Sequence, residues 1–292
     1  MNVSIIITAF KEPKTIGKAI EEIAKQNIPK SEILVLAPDK ETLDAAKEIE
    51  KKVKNLRIIK DSGEGKPSSL NLAVEKAKGE ILVLTDGDVY VGEKSIIYLI
   101  DYFKNDKVGA VSGRPVSINS RNNKYSYWAS ILTRTADERR KEALKRNKRF
   151  FCSGYLFAIR KKLFPKLDKR ILSEDGFVSH CVYEQGYKIE YSNESKVFVK
   201  YPDNFRDWIN QKRRSAGGYN QIKDMLGVEI RSFKKESSGF FGLLKHVNNL
   251  TQIFWIIELF IARVYLWALI YRDINLRKKS HKEIWVRIDS TK

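Results

Sequence analysis

The chain has 292 residues, 42% apolar and 31% charged, so it can bury a substantial core and is not disordered by composition. Fifty-five Lys and Arg against 36 Asp and Glu leave a formal charge of +19, which points to a polyanionic partner: nucleic acid, an anionic membrane surface or a phosphorylated ligand. Two cysteines, Cys152 and Cys181, and three histidines exclude a disulfide scaffold and a Cys/His zinc cluster.

The first predicted element is a strand, Val3-Ser4-Ile5-Ile6-Ile7-Thr8. No signal-peptide layout precedes it, so the expectation is a cytosol-facing protein. A helical pattern over 13–25 follows, then a strand at 33–37, a helix over 41–54, a helix over 68–77 and a strand at 81–85. The strand runs are short, rich in Ile, Leu and Val, and bounded by polar turns, as expected of strands buried on both faces of a mostly parallel sheet. Strand and helix alternate, which predicts an open α/β architecture. Ligands bind beyond the carboxyl ends of such strands. Residues 9–12, 38–39 and 86–88 occupy those ends, and all three stretches carry carboxylates.

Asp86-Gly87-Asp88 leaves a strand whose preceding residues Ile81, Leu82, Val83 and Leu84 are all apolar. Two carboxylates at that point repel one another unless a divalent cation gives their hard oxygens a shared partner. Gly87 between them permits close approach of backbone to a ligand. The plainer alternative is an ordinary Asp-Gly turn.

The positive charge belongs to the second half of the chain. Residues 1–133 carry 21 basic and 18 acidic side chains, whereas 134–170 carry 14 and 4, and 196–292 carry 19 and 9. No RRM, zinc-finger or KH pattern accompanies this excess, so the expected partner is a membrane or phosphate rather than nucleic acid. A solvated basic face is the alternative.

Gly65-Lys66-Pro67-Ser68-Ser69-Leu70-Asn71 precedes Asp86-Gly87-Asp88, and Cys152-Ser153-Gly154-Tyr155-Leu156-Phe157-Ala158-Ile159-Arg160, Ser173-Glu174-Asp175 and Gly186-Tyr187-Lys188-Ile189 follow it. Together with the N-terminal strand and Ala9-Phe10-Lys11-Glu12, this ordered set resembles the family 2 glycosyltransferases of the GT-A fold, from residue 3 to about residue 219. The resemblance implies a Rossmann-like sheet flanked by helices and transfer of a sugar from a nucleotide-sugar donor. It assigns Asp88 to Mn²⁺ or Mg²⁺, which would neutralise the donor diphosphate, and Asp86 to the ribose or donor sugar. Lys66 becomes a second cation at the nucleotide, with a surface lysine in a Gly-rich loop as the alternative. Thr8, Ala9, Phe10 and Glu12 would line the nucleoside pocket. Asp39 would read the base, but the family's usual acidic pair is replaced here by Leu36-Ala37-Pro38-Asp39. That departure leaves UDP, the favoured donor nucleotide, and GDP both open.

The same resemblance makes Asp175 the general base that takes the proton of an acceptor hydroxyl in an inverting displacement. Glu174 would orient the acceptor or the base, and Gly154 lies on the acceptor side. Two acids opening a helix also suit its dipole, which is the structural alternative. Gln211 and Arg214 match a "Q-x-x-R-W" element, the Arg at the pyrophosphate and Gln211 on the acceptor side. Ser215 stands where the tryptophan would be, which argues against a processive polymerase.

The most apolar stretch is Leu250–Tyr271, long enough at 22 residues to span a bilayer. Glu258 and Arg263 within it each cost about 2.5–3.5 kcal/mol near a bilayer centre. Trp255, Tyr265, Trp267 and Tyr271 suit an interface, and Arg272, Arg277, Lys278, Lys279 and Lys282 follow at once. The expectation is a catalytic domain over 1–235 and a helical, membrane-associating region over 236–292, held at the cytoplasmic face of the cell membrane. A helix packed on the catalytic domain, or mediating a homo-oligomer, is the alternative. The expected acceptor is a hydroxyl of a glycan or lipid-linked glycan. A polyprenyl-phosphate acceptor would need no base, and a catalytically silent basic adaptor would need no Asp175.

Overall fold

The computed structural model describes residues 1–120, 123–227 and 241–273, with 288, 290 and 291. Its centre is one eight-stranded sheet in the order β3-β2-β1-β4-β7-β6-β8-β5. The strands are β1 Val3–Thr8, β2 Ser31–Ala37, β3 Leu56–Lys60, β4 Ile81–Asp86, β5 Val89–Val91, β6 Val108–Ser117, β7 Leu156–Arg160 and β8 Lys188–Val199. The helices are α1 Ile16–Ala24, α2 Lys40–Glu50, α3 Lys66–Lys76, α4 Ser95–Asp101, α5 Lys124–Lys145, α6 Glu174–Glu184, α7 Phe205–Leu226 and, after a 3-10 turn at Phe241–His246, α8 Leu250–Tyr271.

β1, β2, β3 and β4 are mutually parallel, as the βα alternation requires. Most of the sheet is parallel, as expected, and β6 runs parallel to β8 as well; the exceptions are β7, antiparallel to both β4 and β6, and β5, antiparallel to β8. The sheet is mixed. A strand buried on both faces carries the same apolar run in either direction, so Leu156-Phe157-Ala158-Ile159 says nothing of its polarity.

Alternation along β1 explains the layers. Ile5 and Ile7 pack with Val35 and Val83 under α1, while Ile6 joins Leu34, Leu36, Leu82 and Leu84 on the face that α3 and α6 cover. Successive connections leave β1 toward β2 on one side and reach β4 on the other. The carboxyl ends of β1 and β4 are therefore a topological switch point, where Thr8 pairs with Asp86.

Helix starts differ from the expected ones for local reasons. α1 begins at Ile16 because the amides of Thr15 and Ile16 both turn back to the Glu12 carbonyl. α3 begins at Lys66, two residues early: Gly65, at φ +105°, supplies a conformation closed to other residues, and Pro67 sits in the first turn.

A third apolar cluster joins α5, α7 and α8 through Trp128, Ile131, Trp208, Leu259 and Leu266. The Trp128 indole donates to the Trp255 carbonyl at 2.7 Å, and Asp273, just after α8, pairs with Arg213 of α7. α5 is fixed in turn to the sheet: the buried Asp137 carboxylate accepts from the Tyr191 hydroxyl at 2.7 Å and pairs with Lys141 and Arg114. α8 is the one helix among the described residues long and apolar enough to cross a membrane. Arg277, Lys278, Lys279 and Lys282 lie outside the described residues.

Candidate active site

A cavity of about 1100 Å³ opens over the carboxyl ends of β1 and β4. Of the expected site residues it brings together Thr8, Ala9, Phe10, Glu12, Lys66, Asp86, Asp88, Gly154, Glu174, Asp175, Gln211 and Arg214. Gly87 and Asp39 act from behind this lining. A Cβ on Gly87 would stand 2.5 Å from Glu12 Oε2 and 2.7 Å from the Ala9 Cβ, so only glycine lets the β4 exit lie against the loop after β1. Asp39 caps α2: one carboxylate oxygen accepts from the Thr42 amide and hydroxyl, and the other accepts from the Lys11 amide at 2.8 Å. These bonds outweigh the effect of its partial burial and hold the Asp39 carboxyl below the usual carboxylate range. Pro38, not Asp39, faces the cavity.

Lys66 ties the two acidic motifs together. Its Nζ lies 2.7 Å from Asp86 Oδ1 and 2.7 Å from Glu174 Oε1. Burial works against the ammonium, but the two carboxylates outweigh it and hold Lys66 charged, well above its ordinary value. Burial raises the Glu174 carboxyl; Lys66 opposes that shift, and the neighbouring Asp175 and Asp86 reinforce it.

Asp175 is held from three directions. Oδ2 accepts from the Gly154 amide at 3.0 Å, and Oδ1 accepts from the Ser173 hydroxyl at 2.7 Å and from the Gly176 amide at 2.8 Å. Its backbone carbonyl takes the Ser179 hydroxyl at 2.6 Å, fixing the first turn of α6. Gly154 and Asp175 therefore meet directly. Beside them Cys152 is a core residue whose thiol burial pushes up to about 12, too weakly acidic to act as a nucleophile.

Several contributors escaped sequence reasoning. The segment leading into Ser173-Glu174-Asp175 is clamped by Asn71, whose amide exchanges two hydrogen bonds with the Leu167 backbone at 2.8 and 2.9 Å. On the other side Gln221 accepts from the Leu172 amide and donates to the Arg170 carbonyl. Gly218 abuts Ser173 so closely that a Cβ would lie 2.9 Å from that of Ser173. Gln211, Arg214, Gly218 and Gln221 recur at helical spacing along one face of α7, and that periodicity is the signal that could have found the last two. Arg263, Leu266 and Trp267 of α8 also line the cavity. Only the fold could bring them there.

The site's fit to a divalent cation follows from its donor atoms. Asp86 and Asp88 offer hard carboxylate oxygens beside Glu174, while no group of three or more His, Cys, Asp or Glu among the described residues could cage a metal alone. Magnesium-type sites need no such cage, since one or two carboxylates suffice when substrate phosphates complete the shell. The residues fit a metal that arrives with a nucleotide.

The protein family described as "Glycosyltransferase like family 2" matches residues 1–218. Curated relatives include the probable glycosyltransferase YdaM of Bacillus subtilis, 27% identical over an alignment of 233 residues that covers 75% of this chain and 56% of that protein. Another is the O-antigen chain rhamnosyltransferase RfbN of Salmonella typhimurium, 26% identical over 250 residues, 75% of this chain and 77% of that one. The chain thus spans little more than half the length of the first of these relatives. Among solved structures, the mannosyltransferase PcManGT from Pyrobaculum calidifontis, in complex with GDP-Man and Mn²⁺, superposes with a TM-score of 0.61 at 16% identity, over 95% of this chain and 88% of that one. Residues 1–349 of S. aureus TarS in complex with UDP-GlcNAc give 0.52 at 17% identity over 73% and 65%. Those likenesses establish the GT-A fold. From its first strand to the glycines of α7, then, this chain belongs to glycosyltransferase family 2.

Proposed function

We propose that the protein is an inverting, divalent-metal-dependent glycosyltransferase that moves a sugar from a nucleotide-sugar donor, UDP-linked by preference, to a hydroxyl of a glycan or lipid-linked glycan. The observation that carries this reading is the Lys66 bridge, which sets the Asp86–Asp88 exit of β4 beside the Glu174–Asp175 start of α6 in one cavity. A donor diphosphate at the first and an acceptor hydroxyl at the second are then within reach of each other.

Asp88 would hold Mn²⁺ or Mg²⁺ with the diphosphate, and the ion supplies Lewis acidity at the leaving group. Thr8, Ala9, Phe10 and Glu12 line the nucleoside end. Asp86 meets the ribose or donor sugar, Lys66 and Arg214 bring positive charge to the phosphates, and Asp39 holds the Lys11 turn against which the base would rest. The carboxylate of Asp175 takes the acceptor proton as the acceptor oxygen bonds to the anomeric carbon and the bond to the nucleotide phosphate breaks. Its contacts with Gly154, Ser173 and Gly176 fix the base in place and leave Glu174 to orient the acceptor. Gln211 lies on the acceptor side. A base built this carefully favours a hydroxyl over a phosphate acceptor, which needs none.

Residues 1–235 form the catalytic domain in this reading, and 236–292 hold it peripherally to an anionic cytoplasmic membrane face. The outward residues of α8 support that placement: Leu250, Phe254 and Ile261 are 74%, 66% and 61% exposed. Of the two charges in α8, Glu258 pairs with Lys124 at 2.9 Å and Arg263 turns to the cavity.

Calorimetric titration with UDP and GDP, with and without Mn²⁺, tests the donor site: one nucleotide should bind in a metal-dependent way. Asp88→Asn should lose the metal response. Asp175→Asn should bind nucleotide normally and lose transfer; lost nucleotide binding in that variant would show that the base lies elsewhere.

A further inference from the structure

The cavity's 1100 Å³ stands at the upper end of the roughly 300–1,000 Å³ usual for small-molecule sites, and its lining runs from the β1 and β4 exits to α8. Its two ends differ in chemistry. Around β1 and β4 the walls are carboxylates with Lys66 among them. At the other end α5, α7 and α8, with the turn before α8, contribute Leu132, Trp208, Leu243, Leu266 and Trp267. The same three helices add cations: Arg139 and Arg140 from α5, Lys212 from α7, Arg263 from α8. Arg140 and Asp175 both lie close enough to the buried Cys152 thiol for it to feel their charges. Gln211, 8% exposed, also lines the cavity, and its Oε1 has no hydrogen-bond partner among the described residues. That atom can only accept, so it suits a hydroxyl of a bound molecule.

A molecule filling this half must offer a hydroxyl to Asp175, negative charge to the arginines and a hydrocarbon portion to the apolar wall. α8 supplies that wall from its inner face, while its outer face carries an apolar stripe including Ile253, Phe254, Ile257, Ile261 and Tyr265, bordered by the Glu258–Lys124 ion pair. One helix therefore lines the acceptor half on one side and offers a bilayer contact on the other.

We infer that the α5–α7–α8 half of the cavity binds a bilayer-borne amphiphile with a phosphate-bearing head, which presents a head-group hydroxyl to Asp175. The inference rests on the glycosyltransferase reading above and names its acceptor class. The phosphate is held by the arginines and is not the attacking group. The head-group oxygen bonds to the anomeric carbon, its proton passes to Asp175, and the nucleoside diphosphate leaves.

The test is titration of the full chain with dodecyl phosphate below its micelle threshold, followed by tryptophan fluorescence, since Trp208 and Trp267 line the site. Inorganic phosphate and dodecyl maltoside are run beside it. Dodecyl phosphate should bind tightest, and octyl phosphate should bind more weakly, by up to about fourfold per methylene lost. Arg140→Gln with Arg263→Gln should weaken dodecyl phosphate about tenfold or more. Phe254→Glu with Ile261→Glu should leave that binding intact and abolish flotation with vesicles of equal parts phosphatidylcholine and phosphatidylglycerol. Equal binding of dodecyl maltoside, inorganic phosphate matching dodecyl phosphate, or loss only in the outer-stripe variant would each overturn the inference. UDP and GDP titrations on the same samples separate the two readings. Nucleotide binding without dodecyl phosphate binding sinks the acceptor class alone, and absent nucleotide binding sinks the donor site.

Discussion

Replacing Lys66 with methionine removes the cation between two carboxylates while keeping most of the side-chain volume. Breaking a buried ion pair costs about 3–5 kcal/mol. Here the Lys66 and Asp86 side chains are 32% and 22% exposed, and water screens part of the loss, so we expect about 2 kcal/mol at neutral pH. The pH dependence is the sharper signature. Glu174 is only 11% exposed and already stands above the ordinary carboxylate range because of burial. Without the opposing ammonium it rises further. An acid whose pKa is higher folded than unfolded keeps a proton that the unfolded chain has released, so stability falls as pH climbs from its unfolded value, near 4.5, toward the folded one. The deficit of Lys66→Met should therefore be small at about pH 5 and grow toward about pH 8, by no more than about 1.4 kcal/mol per pH unit for one proton. Urea denaturation of variant and wild type at both pH values reads this directly, with Lys66→Arg as the charge-retaining control. A deficit that is the same at both pH values, or absent at both, would refute the account of the bridge.

Two further outcomes follow from the geometry. Gly218→Ala puts a methyl 2.9 Å from the Ser173 Cβ and 3.3 Å from its amide nitrogen; it should cost about 1–3 kcal/mol in urea denaturation and lower transfer rate while nucleotide affinity holds. Unchanged transfer would show that α7 does not position the base. Asp39→Ala should cost about 1 kcal/mol at neutral pH through the lost cap, and the difference from wild type should shrink as pH falls below 3.8, because the lowered carboxyl of the wild type then protonates. A cost that persists in acid would assign it to packing.

The half of the cavity proposed for the donor was legible because its parts are local. β1, β2 and β4 are apolar runs with carboxylates at their exits, and the exits of parallel strands at a switch point converge by topology. β3 escaped because Leu56-Arg57-Ile58-Ile59-Lys60 is an edge strand, only partly covered and charged at two of its five positions. The Lys66–Glu174 bridge could not be read at all, since it joins residues 108 apart through loops whose ends meet only when β4 and β7 pair. The surroundings of Glu258 and Arg263 were hidden for a related reason. A hydropathy window charges both against a membrane helix, whereas the fold pairs one with Lys124 and turns the other inward.

The family match ends at residue 218, and Arg263, Leu266 and Trp267 come from a helix well past it. Every carboxylate proposed for the donor and the base lies before that boundary, yet one wall of the proposed acceptor half lies after it. On the proposed assignment, selection can alter which molecule receives the sugar by rewriting α8, without disturbing the residues proposed to activate the donor. A chimera that keeps residues 1–227 and exchanges α8 for that of another family member should inherit the donor of the first parent and drift toward the acceptor of the second.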